Sequence, residues 1–142
     1  MKKALVLAAF IAPLFTVSTV NAGPLEDATA ASKQWVEAFN RGDYQYIGDA
    51  YTMNSTMIAH PFGDFHGRPA ITAFWQQLIQ DGADDLVYIE PSYTLVDDKT
   101  MFVKSRWTMN IGEGHITLEK WVLEPDGAWR LLLDDFTVEK RY

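Results

Sequence analysis

Residues Leu25, Ala28, Ser32, Trp35, Val36 and Phe39 recur at three- and four-residue steps, the spacing of one helical face. Gly42 follows where a left-handed residue commonly ends a helix. Asp43 can cap a short second helix over Tyr44–Tyr51, with Ile47 and Tyr51 on one side. Ser55–His60 reads as a strand, and Pro61, Gly63 and Gly67 break the chain into a loop. Pro69 sits where a helix can begin, because its missing N–H costs nothing there. Ile71, Phe74, Trp75, Leu78 and Ile79 form a third helical face, which Gly82 ends.

Beyond Gly82 the period changes to two. Four runs follow, Leu86–Val96, Met101–Asn110, His115–Leu123 and Trp129–Val138. Turn signals separate them at Asp97-Asp98, at 111–114 and at Pro125-Asp126-Gly127. Short connections favour antiparallel neighbours, and Pro91 inside the first run implies an edge strand or a bulge. Helices first and a meander afterwards is an α+β order. A curved, mainly antiparallel sheet wrapping three N-terminal helices would enclose one apolar pocket. On the last two strands both faces carry apolar groups, with Ile116, Leu118 and Val122 opposite Trp121 and Leu123, and Trp129, Leu131 and Leu133 opposite Leu132 and Phe136. One face lines the interior, so the other is expected to be covered in a homodimer.

Ahead of these elements, Met1-Lys2-Lys3 opens a nearly unbroken apolar stretch, Ala4–Phe15, and small residues run to Val20-Asn21-Ala22. That order is a secretory signal peptide, 1–22, with cleavage after Ala22 and a domain over 23–142. Its apolar core is shorter than the roughly 20 residues a membrane span requires. The expected location is periplasmic or secreted, without stable membrane insertion after cleavage.

Composition narrows the function classes. The 142 residues hold 12 Lys and Arg against 19 Asp and Glu, a net charge of -7, which argues against a nucleic-acid partner. Cysteine is absent, excluding disulfides, thiolate metal sites and a Cys nucleophile. There is no Gly-rich phosphate loop and no Gly-x-Ser-x-Gly elbow. His60, His66 and His115 follow no metal-ligand spacing, so neither a metal nor an organic cofactor is expected.

The run Gln34–Asp43, Tyr51, the run Phe65-His-Gly-Arg-Pro-Ala-Ile71, and the four strands with Asp126-Gly-Ala-Trp-Arg130 resemble the nuclear-transport-factor-like superfamily, above all its ketosteroid-isomerase-like and SnoaL-like branches. The resemblance implies a cystatin-like, cone-shaped α+β barrel with a deep pocket, often dimeric through the outer sheet face. In the isomerase branch a general base stands before a proline at the end of the first strand, where this chain has His60. The oxyanion-hole residue of the first helix corresponds to Trp35, and the protonated carboxyl of the penultimate strand to Glu119. Two of these three positions change chemical class, so steroid isomerisation is not expected. The resemblance also places Asp134 inward with Leu132 and Phe136.

The expected catalytic set is therefore His60, Glu119 and Asp134. A neutral imidazole can exchange a proton near neutral pH. Glu119 alternates with His115, Thr117 and Trp121; turned inward it would be a desolvated acid, turned outward a rim partner for Lys104 or Arg106. Asp134 and Asp135 must face opposite ways, and Asp134 beside Glu119 or His60 would make a coupled acid–base pair. Arg68 before Pro69 reads as a loop clamp. Trp35, Tyr51, Trp75, Trp107 and Trp121 are the expected substrate-binding walls, for a small apolar molecule undergoing isomerase-, cyclase- or dehydratase-type chemistry. The alternative is a noncatalytic dimerisation or protein-binding domain whose pocket is filled by its own side chains.

Overall fold

The computed structural model describes residues 22–142; the signal peptide expected over 1–22 lies outside the described residues but for Ala22. Helix α1, Pro24–Asn40, begins on Pro24, with Glu26 and Asp27 in its first turn, where acidic groups complement the helix dipole. It buries Ala28, Ser32, Trp35, Ala38 and Phe39, whereas Leu25 is exposed. Gly42 takes φ 73° and lets the chain turn into α2, Tyr44–Asp49, which Asp43 caps by accepting from Tyr46 N at 3.0 Å. Helix α3 runs from Arg68 to Gln80 and buries Ile71 and Trp75.

The strands are β1 Tyr51–His60, β2 Gly63–His66, β3 Val87–Asp97, β4 Thr100–Met109, β5 Gly112–Leu123 and β6 Trp129–Arg141. They form one six-stranded sheet in the order β2-β1-β6-β5-β4-β3. Every pairing is antiparallel except β1 with β6, which is parallel. The sheet curves round the helices and does not close, so β2 and β3 remain edges. Pro91 sits on edge strand β3, where the register shifts between Ile89 and Ser92, as a residue without an N–H requires.

Two boundaries differ from the sequence reading. Tyr51 opens β1 instead of ending α2, because Arg68 grips its carbonyl oxygen from Nε and Nη2 at 2.9 and 2.7 Å and helps hold the chain extended there. Residues 63–66, read as loop, pair with β1 as the short strand β2.

Two bulges also move side chains between faces. In β5 the register shifts between Ile116 and Leu118. Ile116, Glu119 and Trp121 are therefore buried, while Thr117 is exposed and His115 half-buried on the outside, contrary to their expected company with Glu119. In β6, Trp121 faces Leu131 and Lys120 faces Leu133, leaving Leu132 as the extra residue. Trp129 and Leu131 point inward before it, Asp134 and Phe136 after it, and Leu132 is not one of the buried set.

Gly114 permits the tight meeting of β5 and β6. A Cβ there would stand 1.9 Å from Thr137 O and 2.7 Å from the Trp107 ring.

Candidate functional site

Between the helices and the concave face of the sheet lies a cavity of about 90 Å³. Trp35 from α1, Trp75 from α3, Trp107 from β4 and Phe136 from β6 wall it. Trp75 stacks on Phe136 at 5.7 Å and meets Trp35 edge-on at 5.1 Å, so the walls brace one another. Phe62, Ile111 and Arg141 mark its exposed mouth.

Among the described residues a single carboxyl, Asp134, lines this largely apolar space. It is 4% exposed, and its Oδ2 accepts from the Tyr51 hydroxyl at 2.6 Å. The Tyr51 oxygen in turn accepts from Trp75 Nε1 at 3.0 Å, so a wall residue, a phenol and the acid form one chain. Across the β5–β6 ladder Asp134 faces Glu119, which is 2% exposed. Among the described residues Glu119 is not part of the cavity lining and makes no ion pair. Its two oxygens accept from Tyr88 OH at 2.6 Å and Trp121 Nε1 at 2.8 Å, while Lys104 and Arg106 lie exposed on the other face.

These surroundings set the acidities. Burial first, and then the charge of Glu119, push the Asp134 carboxyl up to about 8, against the opposing pull of the Tyr51 hydrogen bond. Burial likewise raises Glu119, while the hydrogen bonds from Tyr88 and Trp121 hold it down. Burial and the neighbouring acid lift Tyr51 well above its ordinary value, keeping it a neutral donor. Two facing buried carboxyls titrate as a pair. Near neutral pH the one facing the cavity can hold a proton to give, or lose it and take one.

One more unpartnered polar atom belongs to a wall residue of this space. Trp35 Nε1 is buried and has no partner among the described residues, on a side chain that lines the cavity. It stands ready for an acceptor on a bound molecule.

Of the residues expected at the site, Trp35, Trp75, Trp107 and Asp134 line the cavity, and Tyr51 and Trp121 stand behind it as donors to the two acids. His60 is not brought in. It alternates with buried Ala59 on β1, its side chain is 58% exposed, and its Nε2 lies 3.8 Å from Asp135 on the outer face. Tyr88 and Arg141 were not foreseen. Tyr88 shows only as one aromatic in an edge strand, and Arg141 reaches the cavity through a register shift between Glu113 and Gly114, opposite Glu139, that no residue type announces. Among the described residues no three His, Asp or Glu gather to hold a metal ion.

The family of SnoaL-like domains matches residues 32–134, a stretch holding α2, α3, β1 to β5, most of α1 and Asp134 itself. The chain belongs to the SnoaL-like domain family. No curated protein matches its sequence significantly. Solved structures share the fold of this SnoaL-like domain at low identity. A ketosteroid isomerase-like protein from Erwinia carotovora atroseptica superposes with a TM-score of 0.71 at 15% identity, covering 82% of this chain and 96% of that one. A candidate scytalone dehydratase from Novosphingobium aromaticivorans gives 0.70 at 11% identity, with 82% and 85% covered. A protein of unknown function with a cystatin-like fold from Nostoc punctiforme gives 0.68 at 10%, with 80% and 90% covered.

Proposed function

We propose that this SnoaL-like domain is exported and binds a small apolar carbonyl compound, with Asp134 moving a proton beside the carbonyl. The observation that carries this reading is the lone carboxyl among the described lining residues of a largely aromatic cavity, its acidity drawn close to neutral pH. Asp134 is the proton carrier in place of His60, Tyr51 and Glu119 tune it, and Trp35 Nε1 donates to the substrate oxygen. Neighbours described as isomerase-like and as a candidate dehydratase support acid–base chemistry.

Exchange of the α-protons of cyclohexanone in deuterated buffer, followed by proton NMR, tests it. The protein should accelerate exchange, and Asp134→Asn should reduce the acceleration by on the order of 10²–10⁴-fold. Exchange that Asp134→Asn leaves unchanged sinks Asp134 as the carrier.

One observation favours a noncatalytic reading: the free volume of about 90 Å³ is below the usual ligand range, which starts at about 300 Å³. In that reading the aromatic walls are simply core, and the folded protein accelerates nothing.

The homodimer belongs to the same proposal. On the outer sheet face Leu118, Val122 and Leu133 remain half-buried, and Asp135 Oδ1, 3.8 Å from His60 Nε2, is buried without a hydrogen-bond partner among the described residues. A second copy seated there would cover the first and supply a donor to the second.

A further inference from the structure

The cavity mouth carries one basic group with no acidic partner. The register shift opposite Glu139 aims Arg141 at the cavity instead of the outer face, and its guanidinium lies 4.8 Å from the Phe62 ring centroid, a cation–π contact at the rim. The acids nearest in the ladder are engaged elsewhere. Glu113 accepts from Tyr142 OH at 2.6 Å, and Glu139 pairs with His115. Among the described residues Arg141 forms no ion pair, although acidic residues outnumber basic ones in this chain. Trp35, on the helix side of the same cavity, has its buried Nε1 without an acceptor among the described residues. The space thus offers a cationic donor at its mouth, a neutral donor on its helix side, and apolar walls between.

We propose that the ligand is a small apolar oxo-acid, its carboxylate held by Arg141 at the mouth and its carbonyl oxygen turned inward to Trp35 Nε1. The guanidinium fork matches a carboxylate in two hydrogen bonds, which a neutral ketone cannot return. The narrow volume suits a single ring or a short chain and excludes a polycycle. The inference rests on the binding reading given above and adds the anionic head to it.

Isothermal titration with 4-oxopentanoate and with 2-pentanone, in which a methyl replaces the carboxylate, separates the two. The wild-type protein should bind the acid at least about tenfold more tightly than the ketone, the lower range for a charge-assisted pair. Arg141→Gln should bring that ratio close to one, while Lys140→Gln, on the neighbouring residue, should keep it. Trp35→Phe should weaken both ligands together. If the wild-type protein prefers the ketone, or if Arg141→Gln keeps the ratio, the anionic head is wrong and the binding reading stands. If neither ligand binds protein whose circular dichroism shows it folded, the binding reading fails as well.

Discussion

Asp134 holds its proton more tightly in the folded chain than in the unfolded one, and the sign of its pH effect follows. Below its unfolded value of about 3.9 it is protonated in both states and its contribution is fully present. As pH rises toward about 8 the unfolded chain releases the proton first, so stability falls, by at most about 1.4 kcal/mol per pH unit for this proton. Urea unfolding across that window should show the decline, and Asp134→Asn should flatten it; an unchanged slope would remove Asp134 as its source. Tyr51→Phe acts on the same acid. It deletes the hydrogen bond that lowers the Asp134 pKa and leaves Trp75 Nε1 without its acceptor. Carbon-13 NMR titration of the carboxyl should move upward, with a stability loss of about 1–3 kcal/mol for the stranded donor.

At the scale of elements, the helices were legible because their faces repeat without interruption: Ile71, Trp75 and the positions between them need no correction. Asp43 as cap and Pro91 as the mark of an edge were legible for local reasons, since each acts through its own backbone. The strands were legible as strands but not in phase. A period-two pattern gives no sign of which residue is surplus, so one bulge hid the inward turn of Ile116 and another misplaced Leu132. The placement of His60 outside the cavity has a related reason, as motif position fixes the strand end but not the face it presents. Leu132 provides the test. Leu132→Ala should cost on the order of 1 kcal/mol, as ordinary substitutions do. Deleting the surplus residue restores strict alternation and leaves Asp134 and Phe136 inward, so urea unfolding should stay cooperative; its loss would overturn the bulge assignment. Gly114→Ala should also destabilise strongly, because the clash is with the Thr137 backbone, which cannot step aside.

For the whole molecule, the α+β order and curved sheet followed from the sequence, while the open edge and the modest cavity volume depend on packing that no pattern records. Sedimentation at micromolar concentration should find a dimer, and Leu118→Lys should shift it to monomer; a wild-type monomer counts against the outer-face pairing. Exported protein should begin at Gly23, and N-terminal sequencing that returns Met1 overturns export with cleavage. The parallel pairing of β1 with β6 also bears on how the chain is made. An early strand has no neighbour on one side until the last thirteen-residue strand arrives, and the cavity carboxyl travels on that same strand. A nascent chain can close the β3–β5 hairpins on the ribosome, but its sheet stays split and its pocket lacks an acid until synthesis is nearly complete. Architecture and chemistry are thus finished by one event, and a chain stopped short of β6 would have neither.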